Sequence, residues 1–175
     1  AAGVHGLLHK PTVEVSSGSA AAVTTEWGKI NGMQGSLKSI ESIGHFVRNN
    51  SVEGISTYIW PESIVGVYQP TYSTVMRIEL LSEAKRRSQV HIVGMDVPNG
   101  KGGLRSIAVA YYPDGTTSVA QARQPAIVSL WRPWSNESYE ADWQASHELK
   151  LADGRRASIL FCYEEFLPIL FLMSQ

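Results

Sequence analysis

Alternation of β-type and helix-type apolar runs over the first half of the chain constrains its fold more than any single motif. Ala22 to Trp27 (AVTTEW) reads as a strand, and the turn-like GKINGMQG follows it. Ser36 is placed to cap a helix in which Leu37, Ile40, Ile43 and Val47 recur at helical spacing, closing at Arg48-Asn49-Asn50. Ile55 to Trp60 (ISTYIW) is β-branched and aromatic, a buried-strand composition, and Pro61 stops it. A second helix runs from about Ser73 to Ser88, with Val75, Ile78 and Leu81 on one row and Met76, Leu80 and Ala84 on the next. Val90 to Val97 (VHIVGMDV) is again a strand. Ser106–Tyr112 and Thr117–Arg123 flank Pro113-Asp114-Gly115-Thr116, a hairpin signal. Ala157 to Phe161 (ASILF) is the last strand and delivers Cys162. Strand–helix alternation followed by a hairpin predicts an α/β sheet with helices on one face. The other face must then be buried by something else, most economically a partner sheet.

Composition narrows the function classes. The chain has 175 residues, enough for one domain with a real core. Its 15 Lys and Arg against 16 Asp and Glu are scattered, so no electrostatic footprint for nucleic acid is present. The run Lys85-Arg86-Arg87 falls at a predicted helix C-terminus, where cations complement the helix dipole. One cysteine excludes an internal disulfide and a cysteine-rich metal site. No stretch reaches the roughly 18–20 apolar residues of a membrane-spanning helix. The longest, FLPILFLM (166–173), is short and carries Pro168. The chain begins Ala-Ala-Gly without a methionine, which reads as a processed or excised piece with any upstream signal or anchor out of view. Residues 1–19 read as a flexible segment. His5 and His9 are spaced i, i+4 there, but Gly3 and Gly6 beside them and the lack of an acidic or cysteine partner favour a tail over a metal site. No cofactor or metal is expected.

Two places put a polar group directly after a buried strand. In one, Pro61 ends ISTYIW and presents Glu62; in the other, ASILF ends at Cys162. Ligands of α/β sheets bind at the carboxyl ends of strands, so Glu62 and Cys162 can converge across 100 positions of sequence. Taken singly, each has a plainer reading: a lone cysteine after an apolar strand is most often core, and Glu62 is equally a helix-start acid. As a pair they fit nucleophilic catalysis. A carboxylate in a partly dry pocket can act as the base that makes a thiol a nucleophile toward a carbonyl or nitrile carbon. The N–H of Tyr163, just after a sharp turn, is placed to meet an oxyanion.

WPES (Trp60–Ser63) and FCYEEF (Phe161–Phe166) together resemble the glutamate and nucleophile motifs of the nitrilase, or carbon–nitrogen hydrolase, superfamily. They are most similar to its apolipoprotein N-acyltransferase branch. YYPDG (Tyr111–Gly115) sits where the superfamily has a strand–turn–strand before its lysine, and RQPAIVSLWRPW (Arg123–Trp134) resembles conjugal-transfer relatives of the TraB type. The resemblance, over residues 20–175, implies an α-β-β-α sandwich and a Glu–Lys–Cys triad. It makes Glu62 the base, Cys162 the nucleophile that forms a thioester, and Glu164 a neighbour of the site. The lysine has no match; by order and spacing Arg123 takes its place, with Lys101 and Lys150 as unmatched stand-ins, and Glu137 is misaligned with a second glutamate of the superfamily. Relatives continue past the nucleophile, so an incomplete domain lacking its C-terminal part is expected. Two functions follow. One is a hydrolase or acyltransferase acting on a small-molecule or lipid-like acyl or amide substrate. The other is an inactive assembly module of a conjugation system, binding apparatus proteins or a second copy of itself, with Trp60, Trp131, Trp134 and Trp143 in loops that either bind or pack. The resemblance also implies a bacterial, inner-membrane-anchored full-length protein with this segment, itself soluble, in the periplasm.

Overall fold

The computed structural model describes residues 12–15, 20–27, 30–50 and 52–172. The His5–His9 pair and most of the segment 1–19 lie outside them. A six-stranded mixed sheet has the order β1 (Thr12–Val15), β2 (Ala20–Thr24), β3 (Thr57–Ile59), β4 (Val90–Pro98), β5 (Leu104–Tyr111), β6 (Thr117–Gln121). Strands β2, β3 and β4 are mutually parallel, while β1 and the meander β4–β5–β6 are antiparallel. Parallel neighbours need crossovers, and helices supply both. α1 (Gly32–Asn49) joins β2 to β3; α2 (Ser73–Met76), a π turn (Arg77–Leu81) and α3 (Ser82–Arg87) run without a break into β4.

Side-chain parity along the strands divides the core into two layers. Toward the helices, Tyr58, Trp60, Val93, Met95, Val109 and Tyr111 pack on Ile40, Ile43, Phe46, Val47, Met76 and Leu80. Phe46 meets Tyr58 and Trp60 edge-on, with ring centroids 6.5 and 5.3 Å apart. The π turn carries Glu79 against α1, where Gly44 leaves room and Arg48 pairs with its carboxylate. On the second face Val90, Ile92, Ala108, Ala110, Ala120 and Ala122 pack on Leu149 and Phe161. The cover there is a two-stranded sheet, β7 (Glu148–Lys150) paired antiparallel with β8 (Arg156–Ser158), and the chain that follows it.

The structure corrects three sequence expectations. Thr12–Val15, placed in a flexible segment, pair with β2 in register Val13↔Val23 at the edge of the sheet. α1 begins at Gly32, so Ser36 lies within the helix, where its hydroxyl donates to the Gly32 carbonyl at 3.2 Å instead of capping. Of ASILF only Ala157 and Ser158 pair in a strand.

His91 of β4 is fully buried and stacked on Tyr58 at 5.5 Å, and burial lowers its pKa to about 4. The unfolded chain binds this proton near pH 6.5, so His91 opposes folding as pH falls through that value, until about pH 4. Unfolding free energies of wild type and His91→Phe should therefore diverge below pH 6.5 in favour of the variant. The difference should grow by about 1.4 kcal/mol per pH unit, as urea unfolding across the range checks.

Candidate active site

The Glu62 turn is set by what Pro61 cannot do and by what Gly94 allows. Trp60 makes the last β3 contact, donating its N–H to Ile92 O at 2.8 Å. Pro61 has no N–H to continue the ladder, and the chain turns through Glu62 and Ser63, the latter in the left-handed region at φ 52°. This turn lies directly on β4. A Cβ on Gly94 would stand 2.6 Å from the Pro61 carbonyl oxygen and 2.7 Å from Glu62 Cα, so only glycine admits the approach. Two residues on, Asp96 accepts hydrogen bonds from the hydroxyls of Ser63 at 2.9 Å and Ser106 at 2.7 Å. The segment after the turn then follows β4, with Asp96 N–H donating to Gly66 O at 3.0 Å and Tyr68 N–H to Asp96 O at 2.7 Å.

The cysteine turn is held by a different carboxylate. Phe161 anchors the second core layer, and Cys162 follows at φ 30°, exposed, as the first residue of a 3₁₀ turn (Cys162–Phe166). A non-glycine residue at positive φ at this point is a strained position, of the kind that projects a side chain out of a turn. Glu164 is fully buried and accepts three backbone N–H groups: Phe161 at 3.0 Å, Gln124 at 2.7 Å, and Arg123. One side chain thus joins the cysteine turn to the chain leaving β6.

Glu62 and Cys162 line one cavity. A cavity of ≈ 210 Å³ is lined by Glu62, Ser63, Ser106, Ala122, Cys162 and Tyr163, with Pro125, Ala126, Leu130 and Phe161 as its apolar wall. Glu62 also faces a wider cleft of ≈ 580 Å³ shared with Ser36, Asp96 and Tyr139. Glu62 as a whole residue is exposed, yet the surrounding walls of these openings raise its pKa to about 7. Burial is the first cause, and the negative charges of Asp96, Glu164 and Glu165 add to it. The Tyr139 phenol is also held above its ordinary value, by burial first and then by the negative charge of Asp96.

Arg123 does not join them. It is buried, and its guanidinium donates to the Leu170 carbonyl at 2.9 Å, tying α4 (Pro168–Leu172) to the core. The reason is parity. Ala120 and Ala122 share the second face of the sheet, Ala122 N–H pairs with Ser106 O at 2.9 Å, and Arg123, one residue on, is turned elsewhere. Ala122 is therefore the residue of QARQP that reaches the cavity. Lys101 is exposed and paired with Glu140 at 3.6 Å; Lys150 is exposed on β7; Glu137 is exposed on a loop. Among the described residues no Lys or Arg lines either cavity. Among the described residues no group of three His, Cys, Asp or Glu is placed to hold a metal ion, and no helix is long and apolar enough to cross a membrane.

No protein-family model matches the sequence. It is similar to the conjugal transfer protein TraB of Agrobacterium fabrum, 27% identical over 158 residues that cover 86% of this chain and 36% of the relative. A probable conjugal transfer protein TraB of Sinorhizobium fredii is 22% identical over 149 residues, covering 83% of this chain and 37% of the relative. The chain thus spans little more than a third of the length of these relatives. Among solved structures, a double mutant of the amidase from Nesterenkonia sp. AN1, in complex with acrylamide, superposes with a TM-score of 0.62 at 18% identity, covering 90% of this chain and 61% of that one. A single mutant of the same amidase, carrying a Michael adduct of acrylamide at its active site cysteine, gives 0.56 at 19% identity, with 77% and 55% covered. A CN-hydrolase superfamily protein from Xanthomonas campestris, with an arsenic adduct in its active site, gives 0.52 at 15% identity, with 75% and 49% covered. With a mixed sheet and crossover helices matching these neighbours, the chain has the fold of the nitrilase, or carbon–nitrogen hydrolase, superfamily, over a part of that fold's length.

Proposed function

We propose that this chain carries the base and nucleophile of a cysteine-dependent carbon–nitrogen hydrolase or acyl-transfer site within a TraB-like conjugal transfer protein. The observation that carries the reading is the shared cavity of Glu62 and Cys162, with Glu62 poised near neutrality. The adduct-forming active site cysteine of the Nesterenkonia amidase supports it by analogy of fold. Glu62 takes the thiol proton, and the Cys162 sulfur bonds to the acyl carbon as the carbonyl electrons move to oxygen. Collapse of that oxyanion breaks the C–N or C–O bond, and Glu62 returns the proton to the departing amine or alcohol. A thioester on Cys162 remains. Water or an acceptor amine then attacks it, again giving its proton to Glu62, and the thiol is regenerated.

The oxyanion is served by neutral donors, the Tyr163 N–H among them, because among the described residues no Lys or Arg lines the cavity that Tyr163 helps to form. A missing oxyanion contact commonly costs about 10²–10³ in rate, so the site suits activated acyl donors or slow turnover. The apolar wall of Pro125, Ala126, Leu130 and Phe161 fits the acyl part of a small or lipid-like donor. In the full-length protein the domain is proposed to stand on the periplasmic side of the inner membrane, among conjugation-apparatus partners or copies of itself.

Incubation with a p-nitrophenyl ester followed by intact-mass and peptide analysis tests the chemistry. The expected result is a single acyl adduct on Cys162, absent in Cys162→Ala and formed at least tenfold more slowly in Glu62→Gln. An unmodified Cys162 would favour the alternative, a nitrilase-fold module that binds and assembles without catalysis.

A further inference from the structure

Asp96 is an acid inside a buried strand, and the mechanism above does not use it. It is 6% exposed and lies on the second face of β4 with Ile92 and Gly94, register-paired with Ser106. One carboxylate oxygen accepts from Ser106 and the other from Ser63. Both oxygens thus take donors, the pattern of an ionised carboxylate. Ser63 is the left-handed residue of the Glu62 turn, and Gly94 holds that turn against β4. The charged group and the catalytic turn are therefore fixed to one strand, two residues apart.

We propose that Asp96 is a positioning residue of this site: it pins the Glu62 turn through Ser63 and keeps a fixed negative charge beside the Glu62 carboxyl. The inference rests on the base role proposed for Glu62. A neighbouring anion disfavours a second one, so Asp96 makes Glu62 hold its proton to higher pH and makes it a stronger base once ionised. The other groups facing Glu62 are Glu164 and Glu165 of the 3₁₀ turn and Tyr139 of the loop after β6. None of them is joined to the Glu62 turn by a side-chain hydrogen bond comparable to that between Ser63 and Asp96.

The test pairs a direct titration with a reactivity profile. The side-chain carboxyl of Glu62 is followed by ¹³C NMR, assigned by its loss in Glu62→Gln, while Cys162 alkylation by iodoacetamide is measured against pH. In Asp96→Asn the Glu62 midpoint should fall by roughly one unit, the alkylation midpoint should fall with it, and Asp96→Glu should restore both. Ser63→Ala keeps the charge and removes the pin, so it should lower the plateau rate without moving the midpoint. Circular dichroism confirms folding of each variant. If Asp96→Asn does not fold, an unchanged plateau rate in Ser63→Ala overturns the proposal. A Glu62 midpoint unmoved in folded Asp96→Asn overturns it while leaving the base role intact. Alkylation indifferent to Glu62→Gln removes the base role, and the positioning role with it.

Discussion

Glu164→Leu is expected to unfold the cysteine end of this molecule before it reports anything about chemistry. The wild-type carboxylate is fully buried and accepts the N–H groups of Phe161, Gln124 and Arg123. Leucine fills a comparable volume but accepts none of them. Each buried donor left without an acceptor costs about 1–3 kcal/mol, so the variant should lose roughly 3 kcal/mol or more, read as a fall in the urea midpoint. Glu164→Gln should lie between the two, because its amide has one acceptor oxygen where the carboxylate uses two. The effect on Cys162 follows from geometry. The thiol sits at φ 30° between Phe161 and Glu164, and a turn released from that brace relaxes toward ordinary backbone angles. Cys162 alkylation in Glu164→Leu should then lose its pH dependence near neutrality and behave as a free thiol. A loss of less than 1 kcal/mol would mean that the three bonds do not hold the turn.

That Glu62 and Cys162 could share one cavity was legible in the sequence because Glu62 follows an apolar strand and Cys162 an apolar run, each polar where that run stops. That logic needs only the ends of apolar runs, and it survives the error that placed a strand over Ile159–Phe161. Arg123 was not legible in the same way. Its role depended on which of Ala122 and Arg123 faces the cavity, and a one-residue error in a strand reverses every side chain. Ala122 therefore occupies the place inferred for Arg123, and among the described residues no cation lines the cavity. Lys101 and Lys150 do not repair this, since neither reaches either cavity.

Asp96 was overlooked although the signal was present. VHIVGMDV is apolar apart from His91 and Asp96, and an acid so placed in a buried strand needs donors in the fold. Gly94 in the same run marked a close backbone approach. What lay beyond the sequence was the partner of each: Pro61, Glu62 and Ser63 for the glycine, and Ser63 and Ser106 for the acid. Ser106 lies 10 positions from Asp96 but Ser63 lies 33, and local pattern carries no record of the longer contacts. The edge strand Thr12–Val15 was missed for a similar reason, because four residues acquire strand identity only from β2 beside them.

The central claim is that Glu62 serves as base to Cys162, and the alkylation rate of Cys162 against pH, in wild type and in Glu62→Gln, tests it most directly. An unassisted thiol gains reactivity only near its ordinary pKa of about 8.5. Assistance by Glu62 places the rise near pH 7, where that carboxyl ionises, with reactivity gained on the alkaline side and lost as pH falls through the midpoint. At pH 7.5 the wild type should react at least tenfold faster than Glu62→Gln, whose profile should move up to the free-thiol value. Superimposable profiles for the two proteins would contradict the account, because Cys162 would then be an exposed thiol with a glutamate beside it and no base.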